Sequence, residues 1–205
     1  MGKIKNNDLI LERKIKRHRV NLAYPKIVGL SDNILKRKMN KIIEEEIYKF
    51  LIEEGYERDF EKKFFVDYDI KLCTTDILSL AIYIQSYYDG TTNEIISLRG
   101  INMDLNDGKT YFLYDLFKDN NEYMLRINEF IKEEIEKNEI PIIIAFETID
   151  KKQDYYLTKD NLVVFFQQCE HTSSTYGLLK FHIPYSLVKD IISKRGLLKY
   201  MVNIN

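Results

Sequence analysis

Tryptophan is absent from the 205 residues, and glycine (8), proline (3), histidine (3) and cysteine (2) are scarce. So little glycine and proline excludes collagen-like, linker-rich and low-complexity architectures. Two cysteines, Cys73 and Cys169, cannot build a disulfide framework, and burial as small hydrophobes is the reading favoured over a single bridge. No run approaches the ~18 apolar residues of a membrane helix. The longest, Ile140 to Phe146, is far too short, so no membrane span is expected. The opening Met-Gly-Lys-Ile-Lys-Asn-Asn-Asp lacks the apolar centre of a signal peptide, and Asn6 stands where myristoylation wants Ser or Thr. On these features the chain reads as cytoplasmic; a chain shortened of an export segment would read the same and be extracytoplasmic. Lys and Arg (31) balance Asp and Glu (32) to a net charge of -1, so no nucleic-acid partner is expected from charge.

The signatures of catalysis are also missing. There is no G-x-S-x-G, no H-E-x-x-H, no C-x-x-C and no phosphate-cradling glycine loop. One constellation remains. Cys169 and His171 would share a face if both lay on a strand, with His182 on a neighbouring strand. A thiolate and two imidazoles suit zinc or a Cys/His nucleophile, but the ligand set is incomplete and packing is the favoured reading. The expectation is a protein without catalytic residues, metal or cofactor, and not an enzyme.

What is present is a core: 45% hydrophobic and 13% aromatic residues, enough for one globular domain. Residues 1–19 form a basic arm with Lys3, Lys5, Arg13, Lys14, Lys16, Arg17 and Arg19. No aromatics are interleaved for base stacking, so a charged edge strand is preferred to a nucleic-acid contact. Val20, Leu22 and Tyr24 alternate as on a strand that Pro25 should end. Ser31-Asp32 caps a helix whose apolar stripe is Leu35, Met39, Ile42, Ile43, Ile47, Phe50 and Leu51. Residues 64–113 read as an antiparallel meander. Val66, Tyr68, Ile70 and Leu72 share one side, Leu78, Leu80, Ile82 and Ile84 alternate, and turns fall at Tyr88-Asp89-Gly90 and Asp107-Gly108. A second helix buries Met124, Ile127, Phe130, Ile131 and Ile135 and stops before Pro141. A hairpin over 155–168, a strand over 178–183 and a short helix from Pro184 follow. The expected fold is α+β, an antiparallel meander sheet packed by two main helices in a single domain over 20–192, with 193–205 as a tail.

The order of these pieces carries a resemblance. Tyr24-Pro25-Lys26-Ile27-Val28-Gly29-Leu30 precedes a helix. Asp76 to Leu80, Tyr88-Asp89-Gly90, Asn102 to Leu105 with Asp107-Gly108-Lys109, and Leu113 to Phe117 follow. Tyr155 to Thr158, Leu162 to Phe166, Gly177 and Phe181-His182-Ile183-Pro184-Tyr185-Ser186 complete the series. Together they resemble the unknown-function domains of RsiV-like lysozyme-sensing anti-sigma factors, also associated with bacterial peptidoglycan deacetylases. The resemblance spans roughly residues 20–192 and implies a non-catalytic protein-binding or sensing module of the cell envelope. Its implied partner is lysozyme-like or wall-associated. The implied contact residues are Tyr88, Asp89, Gly90, Thr91 and Asn93 in one loop, and Glu170, His171, Ser173, Ser174 and Tyr176 in another. Thr91-Thr92 replaces a histidine common in the first loop, and Ser173-Ser174 replaces a Pro-Tyr wedge in the second. Weakened lysozyme binding is therefore expected. The alternative reading is an intracellular interaction protein that kept the fold and changed its partner.

Overall fold

The computed structural model describes residues 9–91, 94–118 and 121–202. The class is α+β, and the chain folds as two compact units, Met1–Lys109 and Thr110–Asn205.

The first unit is a five-stranded sheet with one long helix. Its elements are β1 (Ile10–Lys16), β2 (Val20–Ile27), α1 (Asn33–Glu53), β3 (Lys63–Cys73), β4 (Ile77–Tyr87) and β5 (Ile95–Asp104), in sheet order β1-β2-β3-β4-β5. Ile10–Lys16 of the basic segment form an edge strand: among the described residues β1 pairs with β2 alone, its exposed charges including a Lys14–Glu12 ion pair at 2.7 Å, while Lys3 and Lys5 lie outside the described residues. Such charges oppose strand addition by another chain.

Asp32 caps α1 by accepting the N–H groups of Ile34 (2.8 Å) and Leu35 (3.0 Å), which satisfies two donors that have no partner within the helix. Met39, Ile43, Ile47, Phe50 and Leu51 of the expected stripe are buried in one core with Leu78, Leu80, Ile82 and Ile84 of β4. Each such side chain contributes about 1.5–3 kcal/mol on burial. On the other face of the sheet, Ser79 Oγ donates to Asn102 Oδ1 (2.6 Å) directly across the β4–β5 pair, so two buried polar groups satisfy each other.

Three expectations change here. Pro25 does not end β2, which runs on to Ile27. The Ile27 N–H and C=O both bond the Asn40 side chain, so Pro25, two residues earlier, turns its nitrogen to that same side, away from β1. The ladder to β3 has already ended at Leu22, and no hydrogen bond is lost for want of a donor. Leu72 does not share a side with Ile70. A bulge lies between them, so Ile70 opposes Leu80 but Leu72 opposes Ser79, and the one-residue slip reverses the face. Finally, the Asp107-Gly108 turn opens no further strand of this sheet. Asp104 O and N close it locally with Gly108 N (2.8 Å) and Lys109 O (2.9 Å), and the meander stops at β5.

The second unit has its own sheet, which refines the expectation of a single one. β6 (Tyr155–Leu157), β7 (Asn161–Phe166) and β8 (Leu179–Pro184) pair antiparallel in that order. The turn expected at 158–161 is present, with Thr158 N donating to Asn161 O at 2.9 Å. Helix α2 (Glu122–Lys137) ends before Pro141 as expected. It buries Tyr123, Ile127 and Ile131 most deeply, and Met124, Phe130 and Ile135 only in part. Tyr123 displaces Met124 because its ring stacks on Phe117, 4.9 Å away and 5° from parallel. After Pro184, α3 (Tyr185–Val188) is a single turn, with Pro184 as its cap residue. Residues 191–198 are folded in. Lys118 N donates to Ile191 O (2.9 Å), Ser193 N to Leu116 O (2.9 Å), and Leu197 and Leu198 are fully buried.

Candidate functional site

The two loops named from the sequence fall in different units.

In the first unit, β4 delivers Tyr88 to a turn that Thr91 closes by donating its N–H to Tyr88 O (3.2 Å), with Gly90 at φ 77°. Tyr88 is 44% exposed, yet its hydroxyl is held by the Asp59 carboxylate. That bond raises the tyrosine pKa and lowers that of the carboxyl, since the charged acceptor favours a donor that keeps its proton. Asp89 forms an ion pair with Lys63. Asn93 lies outside the described residues. The anchor Asp59 belongs to the segment between α1 and β3, which Arg19 organises, and the anchor Lys63 opens β3. Its guanidinium donates to Asp59 O (2.7 Å) and Tyr56 O (2.9 Å), and stands 4.8 Å and 5.1 Å from the ring centroids of Tyr56 and Phe60. Arg19 of the basic segment is thus spent on structure. Phe60, 73% exposed, was not singled out from the sequence. It sits in a polar stretch without periodicity, so no local signal marks it.

In the second unit, β7 ends at Phe166 and the chain turns. Glu170 Oε2 accepts Gln167 N (2.6 Å), and Gln168 Nε2 donates to Ser174 O (2.8 Å). Ser173 Oγ and Thr175 Oγ1 lie 2.9 Å apart. Tyr176, 43% exposed, closes a short 3-10 turn, and Gly177 follows at φ 79°, where a Cβ would be strained. Thr172 is 1% exposed, and its hydroxyl has no hydrogen-bond partner among the described residues.

Cys169 and His171 are not on a strand, so the shared-face argument for them fails. Cys169 is exposed in the left-handed region at φ 67°. His182 is an exposed residue of β8 opposite Val163. Among the described residues no group of three or more His, Cys, Asp or Glu is placed to hold a metal. His171 faces elsewhere. Its Nδ1 is 2.9 Å from Ile144 O, and its ring meets Phe166 and Phe146 edge-on at 4.8 and 5.7 Å. Its own carbonyl accepts Ile143 N (2.9 Å) and Ile144 N (3.3 Å). The loop is therefore built jointly with residues 140–146, a run that the sequence marked only as too short for a membrane.

Among known proteins, the family model described as a protein of unknown function, DUF3298, matches residues 114–186. A crystal structure of a DUF3298 member from Bacteroides fragilis NCTC 9343 is similar with a TM-score of 0.64 at 14% identity, over 95% of this chain and 96% of that one. A DUF3298 protein from Pseudomonas aeruginosa PAO1 gives 0.65 at 13% identity, over 91% and 93%. No curated protein matches the chain. At these identities the likeness speaks for the fold. Among the described residues no helix is long and apolar enough to cross a membrane.

Proposed function

We propose that this chain is a non-catalytic protein-binding module that presents Tyr88 and Tyr176 from two loops. The observation that carries the reading is the construction of the 170–177 loop. Bonds from Glu170, Gln168 and His171 fix its backbone, while Tyr176 is left half-exposed at its tip. A fixed frame lowers the ordering cost of binding, and aromatic anchors usually carry most of the binding energy. The same design recurs at Tyr88, whose ring is exposed while Asp59 holds its hydroxyl. The stretch matched by the unknown-function family contains the 170–177 loop, which makes that loop the better supported of the two.

The finer reading is a sensor like the extracytoplasmic domains of RsiV-like anti-sigma factors, with a lysozyme-like or wall-associated partner. Ser173-Ser174 at the loop tip provides no wedge for an enzyme cleft, so this loop by itself gives weak lysozyme affinity. Calorimetric titration with lysozyme tests the reading. Binding weakened by about 1–3 kcal/mol in Tyr88→Ala or Tyr176→Ala, with the fold intact, is the expected result. Binding that neither substitution affects would overturn the assignment of these loops.

A further inference from the structure

We infer that the open edge of β1 is the interface of a two-fold dimer. It pairs antiparallel with β1 of a second copy, in the register that sets Glu12 opposite the partner's Lys14. The inference goes beyond the loop reading and uses none of its residues.

The backbone comes first. Arg17 and Val20 exchange both of their hydrogen bonds at the β1–β2 turn, and Leu9 O accepts Val28 N at the other end. Bonding alternates along an antiparallel ladder, so Leu9, Leu11, Arg13, Ile15 and Arg17 face β2. The N–H and C=O groups of Ile10, Glu12, Lys14 and Lys16 therefore point to the open edge, where the described residues offer no strand. A row of this kind is completed by another extended backbone.

The side chains then select the register. The strand Ile10–Lys16 is centred on Arg13. Antiparallel pairing about that centre overlaps all seven residues and sets the four outward residues opposite one another. Glu12 meets the partner's Lys14, and Lys14 meets the partner's Glu12. Glu12 already pairs with Lys14 along its own strand at 2.7 Å, so the four groups close into a ring of alternating sign. On the other face Leu11 and Ile15, 51% and 39% exposed, meet the partner's Ile15 and Leu11. These are non-hydrogen-bonded pairs, in which side chains approach more closely. Ile15 also edges an apolar groove of about 270 Å³ shared with Leu22, Tyr24, Ile47 and Leu51, so the contact continues apolar surface that the fold leaves open.

A slip of two residues either way loses this match. One places Glu12 opposite the partner's Glu12 and Leu11 opposite its Arg13. The other places Lys14 opposite the partner's Lys14 and Arg13 opposite its Ile15. In the centred register one like-charge pair remains, Arg13 with the partner's Arg13 on the axis. Each Arg13 acts on the Tyr24 hydroxyl of its own chain, which donates to Glu44 Oε1 at 3.2 Å, so a carboxylate stands near. The charges that oppose an arbitrary strand are thus largely matched by a second copy. The contact is isologous and closes at two.

Sedimentation velocity of the full chain over a concentration series is the first test. A reversible dimer in the micromolar range is expected, since one strand pair is a small interface. Glu12→Lys and Lys14→Glu should each weaken it tenfold or more, and the two combined should restore it. Circular dichroism and thermal midpoints matching the unsubstituted chain confine these effects to the edge. The second test reads the register. Opposed Cα atoms in a non-hydrogen-bonded pair lie about 4.5 Å apart, within the about 4.4–6.8 Å that a disulfide spans. In a Cys169→Ser background, oxidised glutathione should link Arg13→Cys to itself, and Leu11→Cys to Ile15→Cys but not to itself. The inference is overturned if the chain stays monomeric up to millimolar concentration, if both charge reversals leave the dimer unchanged, or if Leu11→Cys links to itself as readily as Arg13→Cys. Loss of the dimer in Tyr88→Ala or Tyr176→Ala would also overturn it, by moving the contact to the loops.

Discussion

His171 holds Ile144 at both backbone polar groups, taking its N–H at 3.3 Å and donating from Nδ1 to its carbonyl at 2.9 Å. One residue thereby does for residues 140–146 what a neighbouring strand would do. Removing the ring leaves the two bonds to the His171 carbonyl but frees Ile144 O and the packing on Phe146 and Phe166. Local opening, with global stability little changed, is the expected consequence. In limited proteolysis His171→Ala should be cut within residues 138–147 well before the unsubstituted chain, while His171→Asn should resemble the latter.

Asn40 plays a comparable part in the first unit. Its amide accepts from Ile27 N at 2.7 Å and donates to Ile27 O at 2.8 Å, so a helix side chain completes the end of β2. Asn40→Leu keeps the size but leaves a backbone donor and acceptor without partners. Such groups cost about 1–3 kcal/mol when shielded from water. Urea denaturation should show a loss of that order, and a loss below about 0.5 kcal/mol would mean that water replaces the amide freely.

Arg126 ties α2 to the segment after α3. It donates to both Asp190 oxygens (2.6 and 2.8 Å) and to Leu187 O (3.0 Å), and also pairs with Glu122. The hydrogen bonds from Arg126 are the main cause that lowers the Asp190 carboxyl from 3.8 to about 2. A folded-state pKa below the ordinary one means that the pair stabilises the fold fully above pH 3.8 and loses that effect as pH falls through about 2. The thermal midpoint of Asp190→Asn should lie below that of the unsubstituted chain at neutral pH, and the gap should close across that acidic window. A gap independent of pH would assign the effect to packing.

Gly196 is needed for space. A Cβ there would lie 2.7 Å from Asp115 O and 2.8 Å from Leu116 Cα, both backbone atoms that cannot swing aside. Gly196→Ala should cost about 1–3 kcal/mol, the usual cost of overpacking, and should disturb residues 191–198 first. An unchanged thermal midpoint would show that the segment shifts without penalty.

Elements governed by local rules were legible in the sequence. Asp32 caps the first helix because a short acceptor side chain preceding a helix finds its free N–H groups. The stripe from Met39 to Leu51 and the alternation from Leu78 to Ile84 follow from the 3.6- and 2-residue periods of helix and strand. The turn at 158–161 is equally local. The two candidate loops were legible only through resemblance, because exposed polar turns carry no periodic signal.

Tertiary structure decided the rest, because each remaining feature depends on groups distant in the chain. The division into a five-stranded and a three-stranded sheet depends on which strands find each other, and alternation does not specify partners. Leu72 changes face because a bulge inserts one residue against β4. Pro25 stays inside β2 because Asn40, fifteen positions later, serves the side that β3 has left. Phe60 stands exposed beside Arg19 because that guanidinium reaches back across the end of the helix to fix the Tyr56–Asp59 backbone. Ile143 and Ile144 stand in a run that the sequence marks only as too short for a membrane, and they face water while His171, from the other side of the β6–β7 hairpin, holds their backbone. Composition sets how much apolar surface a chain carries; only long-range hydrogen bonding determines which of it remains outside.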